Sequence, residues 1–212
     1  MAEPITLGSD ALPEQDSADS AQQDVRLALT RIPAWLPQWL AVASAWLIMR
    51  PYRGIVHDAR LYIQFTVFSD IPSFQANDLL IANDNQMSRS VYVLVLRPLI
   101  DVFGIAGAAM LATLGGLTAW VAGIAGLGRS LFGRDWWALV VIAPAFPAHW
   151  GPLFALAESF AAPRALAEGL ALGALALALA NRFGFAAALV GAAMLVHPLV
   201  ALPAVAVVVV LA

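Results

Sequence analysis

Between Thr118 and Ala212 the chain passes through one long apolar stretch after another, rich in Ala, Leu, Val and Gly and broken by few charges. A water-soluble domain of this size has too little interior to hide them. Composition agrees: hydrophobic residues fill 61% of 212 positions and charged residues only 12%, about half the usual share for a globular domain. The mean hydropathy is +0.81. A bilayer is the solvent that fits, and a spanning helix in it needs about 20 mainly apolar residues. Spans are expected near residues 33 to 49, 104 to 127, 136 to 148, 165 to 180, 184 to 196 and 198 to 212. The predicted fold is all-α: a polytopic transmembrane bundle of about six helices over 33–212. The last run stops inside apolar sequence, so the chain is expected to continue in a longer protein.

All eleven basic residues are arginine, and six of the fourteen acids precede the first of them, Arg26. Residues 1–32 therefore read as an acidic, disordered tail. A basic start leading straight into an apolar core is missing, so no signal peptide is expected at this end. Without cysteine there is no disulfide, thiolate metal site or thiol nucleophile. Walker, dinucleotide-binding, HExxH and GxSxG patterns are absent. No basic stripe points to nucleic acid. Gly115, Gly116, Gly123 and Gly126 are best explained by close packing between helices.

Arginine placement sets the orientation. Arg26 and Arg31 precede the first span, Arg129 and Arg134 follow the second, and Arg182 follows the fourth. Placing these on the cytoplasmic side satisfies the positive-inside rule and puts the N-terminus inside. The stretch from Arg50 to Arg89 carries four arginines and votes the other way, although long loops of mixed charge weigh less. All three histidines, with Asp58 and Glu158, then share the outer face.

The outer loop, 50–103, is expected to hold surface helices. In His57–Asp70, Leu61, Phe65 and Phe68 recur at helical spacing, as in an amphipathic helix lying on a membrane. Asp58 and Tyr62 are one turn apart. Asp58 reads either as a helix cap or as a carboxylate placed to take a proton from an acceptor hydroxyl. His57 beside it offers donors for a divalent metal ion, although neighbouring side chains on a helix diverge by about 100°. A second surface helix spans Ser90 to Phe103, interrupted by Pro98, with Arg97 and Asp101 on a solvated face.

Pro163 suits the first turn of a helix, which puts Arg164 and Glu168 at the outer interface, four apart and able to pair. The pair reads as an interfacial ion pair, or Arg164 reads as a clamp on a lipid-linked phosphate with Glu158 as a second polar wall. His197-Pro198 reads as a turn between spans, or His197 as a phosphate contact or proton shuttle.

The segments HDARLYIQF (57–65), FQAND (74–78), SRSVY (88–92), ESFAAPRALAEGL (158–170) and LVHPLVALP (195–203), in this order, resemble the GT-C class of membrane glycosyltransferases. More narrowly, they resemble an uncharacterised family of bacterial multispanning membrane proteins of the same organisation. Many members of the class carry a pair of acids where this chain has His57 and Asp58, and their Tyr usually stands one residue sooner than Tyr62. The resemblance implies an enzyme of the bacterial cytoplasmic membrane that moves a sugar from a polyprenyl-phosphate-linked donor to an extracytoplasmic acceptor. Asp58 would be its base, with Arg164, Glu158, His197 and Tyr62 binding substrate. Two other classes compete with it. A flippase or transporter for a lipid-linked glycan would place charges at mid-membrane. A non-catalytic membrane subunit would tolerate alanine at Asp58 and Arg164.

Overall fold

A computed structural model describes residues 33, 35–69, 71–73, 87, 90–143 and 156–212. The acidic tail, the FQAND segment and the end of the span expected at 136 to 148 lie outside these. Compactness divides the chain into Met1–Leu40 and Ala41–Ala212. In the first unit the described residues include the opening turns of one helix, and the account below concerns the second.

The described secondary structure is helical throughout. Helix α1 is Trp35–Met49, α2 Asp58–Phe68, α3 Val91–Phe132, α4 Trp136–Ile142, α5 Pro163–Leu179, α6 Phe183–Val196 and α7 Pro198–Leu211. Among the described residues one helix, α3, is long and apolar enough to cross a membrane. Helices α1, α6 and α7 are apolar but have 15, 14 and 14 residues, fewer than the ~20 a span needs.

Helix α3 is two helices joined by a bend. Gly104 has φ 69° and ψ 172°, a backbone region open in practice only to glycine. The bend therefore falls where a surface helix was expected to meet a span. The helix is not interrupted at Pro98, which lies inside the first limb. Residues 105–132 form the second limb, about 42 Å long at 1.5 Å per residue. Arg97 is not on a solvated face: its Nη2 donates to Thr66 O and to Ser69 Oγ, both at 3.0 Å. This satisfies the C-terminal end of α2, where carbonyls lack helical partners.

Helix α2 buries Ala59, Tyr62, Ile63 and Thr66, a stripe at i, i+3, i+4, i+7, against Val93 and Leu96 of α3. Leu61, Phe65 and Phe68 lie on its half-buried flank. The helix is thus held by a different face from the one its large apolar residues suggest.

Helices α3 and α5 run parallel, and glycine sets their separation. A Cβ on Gly116 would meet Ala165 Cβ at 3.3 Å, and one on Gly126 would meet Ala176 Cβ at 3.3 Å. At Gly123 it would collide with the carbonyl oxygen of Gly169, and at Gly169 with the backbone of Ala119 and Trp120. Gly115 faces open space, so three of the four glycines singled out in the sequence serve the packing. From α5 the chain turns back at Asn181 (φ 57°). Arg182 N donates to Leu177 O at 2.8 Å and Asn181 N to Ala178 O at 2.9 Å, the paired bonds of a Schellman cap. Helix α6 returns, His197 ends it in extended backbone, and Pro198 opens α7 at its first turn.

Candidate functional site

The end of the molecule where α5 and α7 begin collects most of the predicted polar residues. Ala162, ahead of Pro163, is extended (φ −120°, ψ 150°), as a residue preceding proline must be. Arg164 then follows in the first turn of α5. Its Nη2 donates to Asp58 Oδ2 at 2.5 Å and to Glu158 Oε1 at 3.1 Å. One guanidinium thus joins two acids, one of them 106 positions away in sequence.

Exposure separates their roles. The Glu158 and Arg164 side chains are 3% and 9% exposed, whereas that of Asp58 is 46% exposed. Asp58 is therefore the carboxylate a substrate could reach. Arg164 is buried and already engaged by two anions, a geometry that suits holding Asp58 in place better than clamping a phosphate. Glu158 Oε2 is buried and accepts no hydrogen bond among the described residues. Asp58 stands in the first turn of α2, where the helix dipole favours an anion.

Two non-glycine residues with positive φ stand immediately before the two acids: His57 (47°) and Ala157 (51°). Such backbone costs about 1 kcal/mol or more and clusters at functional sites. Composition gives no sign of it. The His57 ring is exposed and lies 5.8 Å from that of Phe160. Among the described residues no group of three or more His, Asp or Glu side chains is placed to hold a metal ion. Asp58 turns to Arg164, leaving the His57–Asp58 pair as no more than two neighbouring donors.

His197 is buried at the α6–α7 junction. Nearby, Ser90 Oγ donates to Val196 O at 2.9 Å, fastening the start of α3 to the end of α6. Tyr62 sits deeper, buried with its ring edge-on to Tyr92 at 5.5 Å. Glu168 does not take the place expected beside Arg164: Trp120 Nε1 at 2.8 Å and Ala157 N at 2.9 Å both donate to its Oε2. It thereby ties the segment before α5 to α3. A lone acid in an Ala-Leu helix gave no indication of these partners.

Comparison with protein-family models, curated proteins and solved structures found no match. What the site can do therefore rests on its own chemistry.

Burial pushes the Glu158 carboxyl up from 4.5 to about 7; Arg164 opposes this, and Glu168 and Asp58 add to it. Burial pushes the His197 imidazole down from 6.5; Arg164 lowers it further, while a backbone hydrogen bond and Asp58 oppose. An acid whose folded pKa lies above its unfolded one binds the extra proton when folded. The stability that Glu158 contributes is therefore complete below pH 4.5 and lost as pH rises to about 7. His197, lowered, acts in the opposite sense below 6.5, so only a difference isolates Glu158. The stability of Glu158→Gln relative to the parent should rise between pH 4.5 and 7, read as unfolding midpoints in detergent. A difference that stays flat across that interval would remove Glu158 as the titrating group.

Proposed function

We propose that this chain forms part of a GT-C-like membrane glycosyltransferase that moves a sugar from a polyprenyl-phosphate donor to an acceptor on the extracytoplasmic face. The observation that carries the reading is the meeting of the loop acid Asp58 with Arg164 and Glu158 at one end of the helices. In the reaction, the acceptor hydroxyl gives its proton to Asp58 and its oxygen bonds to the anomeric carbon. The bond from that carbon to the phosphate oxygen breaks, and the phosphate leaves with the electron pair. Arg164 acts as a positioning residue, held between Asp58 and Glu158.

Membrane placement is supported by the apolar surface the molecule presents. Ile48 is 79% exposed, Val102 72% and Val210 85%, in company with many other large apolar side chains. A surface of that kind in water marks an interaction with lipid or protein. The parallel course of α3 and α5 with the return of α6 puts Arg129 and Arg182 at the end opposite Asp58. Asp58 lies at a helix start and Glu158 in the segment before α5, which favours an interfacial enzyme over a carrier with charges at mid-membrane.

Single cysteines in a chain that has none test the placement. Cysteine at exposed positions 53 and 60 should react with an impermeant thiol reagent in intact cells, and cysteine at 129 and 182 should not. The reverse pattern would put the site in the cytoplasm and end the proposal. In membranes of the correct orientation, Asp58→Asn should lower sugar transfer from a polyprenyl-phosphate donor about 100-fold or more with the unfolding temperature retained. Unchanged transfer would leave Asp58 without a catalytic role.

A further inference from the structure

Beside the acidic cluster lies a cavity of about 380 Å³, within the size range of small-molecule sites. Its wall is almost wholly apolar: α3 supplies Trp120 and Ile124, α5 Leu172 and Leu175, and α7 Val200 and Pro203. Along α5 it extends from Glu168 to Leu175, about 10 Å at 1.5 Å per residue.

The polar groups on this wall are turned to one another. Trp120 Nε1 and Ala157 N both donate to Glu168 Oε2. Arg50, the other charged lining residue, feels the opposite charge of Glu168, so the two together give the wall no net charge. A ligand group that needs hydrogen bonds would lose its water there without replacement. Water itself gains little in an apolar space. A hydrocarbon chain is the occupant that fits.

The source of the chain follows from where the cavity opens. Leu156 and Pro203 line it and are themselves exposed. Leu199, one turn before Pro203 on α7, is exposed as well. The cavity is thus continuous with the apolar surface that supports membrane placement, and the hydrocarbon at such a surface is the acyl chain of a lipid.

We propose that the cavity takes in one acyl chain of a membrane phospholipid, held through hydrocarbon contacts alone and without regard to its head group. The inference rests on the membrane placement argued above and is independent of the sugar-transfer chemistry. The inserted chain fills the space between α3, α5 and α7 beside the catalytic cluster.

Photolabelling reads this directly, because Trp120 lines the cavity yet is only 5% exposed. The full chain would be reconstituted in phosphatidylcholine vesicles doped with phosphatidylcholine or phosphatidylglycerol that carries a diazirine on an acyl chain, and the cross-links assigned by peptide mass spectrometry. Trp120 should be labelled along with the exposed Val210, and equally by both lipids. Val200→Phe and Leu175→Phe fill the chamber from half-buried positions on different helices. Whichever of them keeps the parental unfolding temperature in detergent should lose the label at Trp120 and retain it at Val210. Added polyprenyl phosphate should leave the Trp120 label in place. Label at Val210 but not at Trp120 in the parent overturns the lipid site and leaves the membrane placement standing. So does a Trp120 label that survives in a folded filled variant, that follows the head group, or that polyprenyl phosphate displaces, the last assigning the cavity to the donor. Absence of label at both residues overturns the membrane placement with it.

Discussion

Arg164→Met should lose sugar transfer altogether and cost about 1–3 kcal/mol of stability, the usual penalty for leaving a buried polar group without its partner. The guanidinium is the group that pairs with both Asp58 and Glu158, so its loss leaves two acids facing each other, one of them deeply buried. Glu158 can escape by holding a proton, which Arg164 otherwise disfavours. For that reason Arg164→Met with Glu158→Gln should recover most of the stability but none of the transfer. Unfolding of the two single variants and the double variant in detergent supplies the cycle. Additive losses would mean that the two residues do not act as a unit. Transfer at parental levels in Arg164→Met would show that Asp58 needs no positioning.

Substitutions at the α3–α5 crossing should be the most damaging outside the polar site. A side chain at Gly123 or Gly169 runs into backbone of the facing helix, which no rotamer change relieves. Overpacking of ordinary core positions costs about 1–3 kcal/mol. Gly169→Ala should cost at least that, and Gly169→Leu should fail to accumulate as folded protein. Gly115 is the control: nothing lies within 4 Å of a Cβ there, and Gly115→Ala should be neutral or stabilising by up to about 1 kcal/mol through helix propensity. Protein yield and thermal unfolding in detergent check all three. A tolerated leucine at 169 would mean that the helices stand further apart than described.

The helices were legible because apolar runs bounded by Pro, Gly and Asn carry their own punctuation. Pro163 and Pro198 start helices, Asn181 ends one and Gly104 bends one, each through a backbone preference that acts locally. The site was legible in membership and less so in wiring. Asp58, Glu158, Arg164 and His197 stand out as rare polar residues in apolar sequence, but nothing local joins Asp58 to Arg164 across 106 positions. The pairing that spacing did suggest, Arg164 with Glu168, gave way because Trp120 and the Ala157 N–H offered Glu168 directed hydrogen bonds. Tyr62 had the right spacing from Asp58 but lies one turn deeper, where Tyr92 covers it.

The parallel run of α3 and α5 has an electrostatic consequence. With α6 returning between α5 and α7, the N-termini of α5 and α7 lie at the same end, and Asp58 brings the N-terminus of α2 to them. Each start carries roughly half a positive charge from its aligned peptide dipoles. Three such starts surround a cluster in which acids outnumber the arginine two to one. Their combined potential offsets part of the cost of gathering those acids. It would equally favour the negative charge that grows on a departing phosphate.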